Sequence, residues 1–224
     1  IESLAELEFI NNVAESISET APVAVRINPN VDAQTHKYIS TGKAENKFGI
    51  DYEETMKVYE RASALPHIQI KGIQMHIGSQ LTNVSPFVEA VKRVIPLVKE
   101  LQQTYGIEFF SIGGGIGIVY EEALASGPSN WWSEQENPPL SPDVYARELL
   151  PLLRALKLKI VLEPGRYMSG NAGVLLTSCL YEKKGRDKTF KIVDAGMNDL
   201  IRPALYEGHH EIVRRVAEST ISRI

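Results

Sequence analysis

The sequence predicts a parallel α/β fold followed by the start of an all-β domain, and three observations carry that reading. β-prone runs alternate with amphipathic helical runs four times, at a spacing of roughly 40 to 50 residues, which is the rhythm of strand–helix crossover units. Each of the four β-prone runs ends in residues out of place inside a strand: Asn28-Pro29, His76-Ile77-Gly78-Ser79, Gly113-Gly114-Gly115 and Glu163-Pro164-Gly165-Arg166. Near residue 170 the alternation stops, and two further β-prone runs follow with only a polar turn between them. Both (β/α)8 barrels and doubly wound open sheets hold ligands at strand C-termini, so periodicity leaves both architectures open; four units make half a barrel.

In chain order, Ser3 and Glu6 form a capping-box pattern ahead of Leu4, Leu7, Ile10, Ala14 and Ile17, which recur at helical spacing. Val23 to Ile27 is a strand ended by Asn28-Pro29. A polar loop from Asn30 to Asn46 is long enough to suggest a role, and Asp51 with Glu54 caps a helix running to Ala64. Ile68 to Ile77 is the next strand, and Ser85-Pro86 opens a helix with the apolar face Phe87, Val91, Val94, Val98 and Leu101. Glu108 to Ile112 runs into the glycines. A loop rich in Ser, Asn and Pro, carrying Trp131 and Trp132, leads to Ser141-Pro142 and a helix with Leu149, Leu152, Leu153 and Leu156. Leu158 to Leu162 is the fourth strand. Gly173 to Tyr181 and Thr189 to Val193 then form a hairpin about the polar turn Lys183 to Asp187, so a second domain begins near residue 170; the tail from His209 to Ile224 is ambiguous between strand and helix.

Composition narrows the partners. The 224 residues are 43% hydrophobic and 23% charged, enough for a sizeable core in one domain or one and a half. A net charge of −4 and a pI of 5.8 leave no electrostatic footprint for nucleic acid, and no basic run suggests a membrane surface. No apolar stretch approaches the roughly 18 residues of a membrane span, and the first residues show no signal-peptide pattern. Cys179 is the only cysteine, which fits a reducing compartment, and a cytoplasmic location is the expectation.

The strand ends carry the chemistry. Three consecutive glycines reach positive φ and can turn their N–H groups toward one point, a nest for a phosphate; a tight turn with no ligand has the same sequence. With a hydroxyl at Ser79, a cation at Arg166, a carboxylate at Glu163 and a flat imidazole at His76, the set matches what pyridoxal 5'-phosphate requires. The phosphate needs donors, and the pyridine nitrogen needs an acid that keeps it protonated. Taken singly, His76 reads as a structural residue and Glu163-Pro164-Gly165-Arg166 as a turn with a surface ion pair. The four ends together favour the cofactor. His209-His210-Glu211 is the one metal-like cluster, and adjacent histidines in a strand point to opposite faces, so no metal site is expected.

Four segments, in this order, resemble the diaminopimelate decarboxylase family of fold-type III pyridoxal phosphate enzymes: His76 to Gln80, Ser111 to Gly117, Glu163 to Arg166, and Asp194-Ala195-Gly196-Met197-Asn198-Asp199-Leu200-Ile201-Arg202-Pro203-Ala204-Leu205-Tyr206. Ornithine and arginine decarboxylases share the glycine and Glu-Pro-Gly-Arg segments, and the Arg-Pro-Ala-Leu-Tyr run favours the diaminopimelate branch. The resemblance implies the C-terminal half of an alanine-racemase-like (β/α)8 barrel, about strands 5 to 8, over residues 1–169, and an incomplete C-terminal β-domain over 170–224. It implies that Gly113, Gly114, Gly115, Ser79, Gly165 and Arg166 surround the cofactor phosphate, that Glu163 faces the pyridine nitrogen, that His76 stacks on the ring and that Pro164 is among the cofactor-binding residues. Arg166, Arg202 and Tyr206 match substrate-binding positions, where an arginine fork suits a carboxylate far from the reacting carbon.

The implied reaction is decarboxylation of meso-2,6-diaminopimelate to L-lysine, in a homodimer with active sites at the subunit interface. The family's Schiff-base lysine and its acid cysteine have no counterpart here, so the chain is expected to be an internal piece that is inactive alone, with Ile1 near the end of the fourth strand. Lys43 and Lys47 are poor substitutes for the lysine, and Cys179 reads as a buried small apolar residue rather than the acid. The competing readings are an amino-acid racemase, a non-catalytic cofactor-binding homologue, and an unrelated phosphate- or metal-binding α/β protein.

Overall fold

The computed structural model describes residues 1–31, 48–120, 140–214 and 222–223. The loop expected over Asn30 to Asn46, with Lys43 and Lys47, and the segment carrying Trp131 and Trp132 lie largely outside the described residues. The backbone falls into two units, Ile1–Ile118 with Pro139–Gly170, and Val119–Pro138 with Asn171–Ile224.

The first unit is a five-stranded sheet, parallel at every pairing: β1 (Ala21–Asn28), β2 (Ile50–Asp51), β3 (Ile68–Met75), β4 (Phe109–Ser111) and β5 (Lys159–Val161). The order is β2-β1-β3-β4-β5, so after the short edge strand each strand lies beside the next one in the chain. A doubly wound sheet reverses direction at a switch point. This sheet does not, and its monotonic order is that of a barrel segment.

Helices α1 (Leu4–Ser16), α2 (Thr55–Ser63), α3 (Ser85–Tyr105) and α4 (Pro142–Leu153) cover one face. Ser3 caps α1 as expected, its hydroxyl accepting from the Glu6 amide at 3.1 Å. The cap expected of Asp51 and Glu54 is absent: neither side chain accepts from α2, which is entered through a tight turn at Tyr52–Glu54. There the Thr55 hydroxyl donates to the Asp51 carbonyl at 3.0 Å. Period-two alternation on the strands directs Val25 and Ile27 of β1, Ile73 and Met75 of β3, and Phe110 and Ile112 on and after β4 into one buried cluster. Against them pack Leu7 of α1, Val58, Tyr59 and Ala62 of α2, Phe87, Val91, Val94, Val98 and Leu101 of α3, and Leu149 and Leu153 of α4. Phe87 meets Tyr145 edge to face at 5.0 Å between ring centres. No described helix is long and apolar enough to cross a membrane.

In the second unit β6 (Cys179–Lys184) and β7 (Thr189–Val193) form the expected hairpin; β7 has its expected limits, whereas β6 is shifted toward the turn from the expected Gly173 to Tyr181. Lys183 and Lys184 lie in the strand opposite Phe190 and Thr189, because the turn closes later, with the Gly185 amide donating to the Lys188 carbonyl at 2.7 Å. Cys179, read as buried, is exposed, as is every residue of β6. A two-stranded ribbon has no second layer to bury either face. The ambiguous tail forms a short antiparallel pair, β8 (Val213–Arg214) with β9 (Ser222–Arg223).

Tyr59 donates to the carbonyl of Gly72 at 2.8 Å deep in the first unit, and burial holds the phenol far above its ordinary titration range, so it remains a donor. Tyr59→Phe removes this buried hydrogen bond; a loss of about 0.5–1.5 kcal/mol in urea denaturation is expected.

Candidate functional site

The ends of β3, β4 and β5 meet on one rim, and backbone contacts join them. After β4 the chain enters Gly113 at φ +75°, passes Gly114 and leaves Gly115 at φ +105°, a path that side chains rarely follow. A Cβ on Gly113 would lie 2.4 Å from the Met75 carbonyl oxygen, one on Gly114 2.0 Å from that of Glu163, and one on Gly115 2.2 Å from that of Gly78. The three glycines therefore let the β4 turn press against the backbones that follow β3 and β5.

Hydrogen bonds complete the junction. The Glu163 amide donates to the Gly113 carbonyl at 2.8 Å, and the Leu81 amide to the Gly115 carbonyl at 2.8 Å. The Gly114 amide donates to Nδ1 of His76 at 3.2 Å. Gln80 brackets Ile118 from both sides, its Oε1 accepting from the Ile118 amide at 3.1 Å and its Nε2 donating to the Ile118 carbonyl at 2.6 Å.

The glycine amides do not converge as a simple nest would have them. Gly113 donates to the Ser111 hydroxyl at 3.3 Å and Gly114 to His76, so two of the three are used within the protein. Among the described residues the half-exposed Gly115 has no partner for its amide, and neither has Ile116.

Half-buried His76 is drawn below the ordinary histidine value, first by burial and then by the positive charge of Arg26, with Glu163 opposing. Since Nδ1 accepts from Gly114, the neutral ring carries its proton on Nε2. Glu163 stands exposed at the rim, accepting from Ser111 Oγ at 2.5 Å and from Gln74 Nε2 at 3.2 and 3.3 Å. Ser79 is half-buried, one residue past the Gly78 carbonyl that faces Gly115. Pro164, Gly165 and Arg166 open the short helix α5 (Gly165–Ser169), and a Cβ on Gly165 would meet nothing within 4 Å.

Arg166 belongs to the first unit; Arg202 and Tyr206 belong to the second, on α6 (Arg202–Tyr206). There the Arg202 guanidinium lies 4.5 Å over the Tyr120 ring, with Nη1 3.4 Å from Nε2 of His210. Partial burial, with the charges of Arg202 and then His209, draws His210 below its ordinary range. His209 pairs with Glu211 at 3.7 Å, and among the described residues no group of three or more His, Cys, Asp or Glu could hold a metal.

The family model for the pyridoxal-binding domain of pyridoxal-dependent decarboxylases matches residues 1–170. The chain belongs to that family. Among curated relatives, the diaminopimelate decarboxylase of Neisseria meningitidis serogroup B is 46% identical over 213 residues, 95% of this chain and 48% of the relative. That of Haemophilus influenzae is 44% identical over 215 residues, again 95% and 48%. In three dimensions the chain superposes on the Helicobacter pylori diaminopimelate decarboxylase complexed with L-lysine at TM-score 0.83 and 39% identity, covering 98% of this chain and 51% of that one. The chain thus spans about half the length of the relatives it matches. As a member of the pyridoxal-dependent decarboxylases it has its fold in common with them.

Sequence reading missed Gln74 and Ser111, the two side chains on Glu163. Each lies two residues before a chosen position, His76 and Gly113, and strand periodicity alone puts them on the same face.

Two substitutions separate the glycines. Gly114→Ala drives a methyl into the Glu163 carbonyl and is expected to cost about 3 kcal/mol or more, whereas Gly165→Ala, with open space and ordinary φ, should stay within about 0.5 kcal/mol in the same urea titration. His76 makes stability pH-dependent. Its folded value lies below the ordinary 6.5, so its contribution is complete above about pH 6.5 and declines as pH falls through that value toward the lowered one. Between about pH 7.5 and about pH 5 the wild type should lose more stability than His76→Gln, read from urea midpoints.

Proposed function

We propose that this chain is part of a diaminopimelate decarboxylase that converts meso-2,6-diaminopimelate to L-lysine and CO2. The observation that carries the reading is the meeting of His76, the glycine turn and Glu163 through direct hydrogen bonds at one rim, in a chain 46% identical to a diaminopimelate decarboxylase. The residues at the rim fit pyridoxal 5'-phosphate. Gly113, Gly114 and Gly115 are glycines because backbone packing demands it, but neither contact nor φ demands one at Gly165, where close approach of a bound group supplies the reason.

In this reading the Gly115 and Ile116 amides, Ser79, Gly165 and the Arg166 guanidinium hold the phosphate, as donors and a cation suit an anion. His76, neutral and flat, covers one face of the ring. Glu163 holds a proton on the ring nitrogen, and Arg166, Arg202 and Tyr206 are substrate-binding residues, guanidinium and phenol being matched to a distal carboxylate. Once bound, the cofactor supplies the electron sink for the pair released with CO2. The lysine that anchors it and the acid cysteine lie outside these 224 residues, and the second unit begins the C-terminal β-domain from about residue 170. The whole protein acts in the cytoplasm as a homodimer with interface sites.

Purified full-length protein loaded with the cofactor and offered meso-diaminopimelate, ornithine and arginine in turn should release CO2 from the first with kcat/KM at least about a hundredfold above the others, a discrimination of roughly 2.7 kcal/mol. A preference for ornithine or arginine, or release of no CO2 from any of them, contradicts the assignment.

A further inference from the structure

Gln74 lies outside every motif and Ser111 opens the glycine segment with no role assigned to it, yet both hold the carboxylate of Glu163. We propose that both are positioning residues for Glu163, fixing which of its oxygens is presented to the ring nitrogen of the cofactor; this rests on the reading of Glu163 as that nitrogen's partner.

The sheet places them. Gln74 and Ser111 are Cα partners across β3 and β4, and Ser111 is the partner of Val161 on β5. Two residues beyond Val161, Glu163 returns to the same face, because side chains alternate along a strand. The polar row lies immediately below the rim, on the side of the sheet turned away from the helices.

The hydrogen bonds are directional. The Gly113 amide donates to Ser111 Oγ at 3.3 Å, so the oxygen is occupied as an acceptor and its proton points to Oε1 of Glu163, 2.5 Å away. The Gln74 amide must turn its nitrogen to the carboxylate, since its oxygen and a carboxylate oxygen would repel. Its Nε2 lies 3.2 Å from Oε1 and 3.3 Å from Oε2. In that orientation the Gln74 Oε1 is buried with no partner among the described residues. Folding alone would favour an apolar side chain there, because an unpaired buried acceptor is destabilising. The orphan oxygen is explained if the NH2 group is what the position serves. Oε1 then takes both donors, and Oε2, with one long contact, is the oxygen turned to the ring.

The test uses full-length holoenzyme carrying 15N-labelled pyridoxal phosphate, with two readouts: decarboxylation kinetics and the 15N shift of the ring nitrogen, which reports its protonation. Ser111→Ala and the near-isosteric Gln74→Met are each expected to lower kcat roughly ten- to hundredfold, the worth of a hydrogen bond to a charged group, and to move the 15N signal toward the neutral ring. Ser111→Thr, which keeps the hydroxyl, should restore both. In a Glu163→Gln background the same substitutions should cost less than about twofold, because residues acting through one group are not additive. An equal loss with and without Glu163, or an unmoved 15N signal, overturns the proposal. Wild-type rate and shift in Glu163→Gln itself would instead overturn the reading of Glu163 on which the proposal rests.

Discussion

A side chain on Gly114 would sit 2.0 Å from the carbonyl oxygen of Glu163, and the rim exists because none is there. The turn after β4 runs between the chain following β3 and the chain following β5, and it approaches both closely enough for backbone to bond backbone. From that contact come the Glu163 amide on Gly113, the Gly114 amide on His76, and the Leu81 bridge that closes the far side. The glycines act first as spacers that set strand ends against each other. Their service to an anion is secondary and falls to Gly115 and its neighbour.

The sheet beneath is two-faced in a way that suits this use. Toward the helices it is continuous apolar surface, from Val25 through Ile73 to Phe110, and each such side chain contributes about 1.5–3 kcal/mol on burial. Toward the other side, one register row carries Arg26, Gln74 and Ser111. Arg26 is anchored by Glu2 at 2.8 Å, and its charge helps keep His76 neutral. Polar side chains that would weaken an ordinary core here set the orientation and protonation of the residues one level above.

Much of this was legible in the residues. Alternation of strand and helix located β1, β3, β4, β5 and helices α1 to α4 of the first unit but not the two-residue edge strand β2 or the short α5, because amphipathic helices such as α3 must turn Phe87, Val91, Val94, Val98 and Leu101 to one side. His76, the glycines and Glu163 were legible as strand-end residues. What escaped reading depended on partners far along the chain. Gln74 gains meaning only from Glu163, 89 residues on, and no local pattern announces such a pair. Whether the Gly113 amide faces inward or outward was likewise unreadable, since the answer lies in Ser111 and His76. Cys179 was misread because its type is usually interior, while a ribbon with no covering layer has no interior to offer.

Strand order has one more result. β5 pairs with β4 along one side only, so its other side presents main-chain donors and acceptors with no partner among the described residues. Such a border templates whatever extended chain comes within reach. In a closed ring of strands it is satisfied internally, and the polypeptide gains protection from self-association together with the geometry of its site. Closure of the ring is thus a solubility device as well as a scaffold.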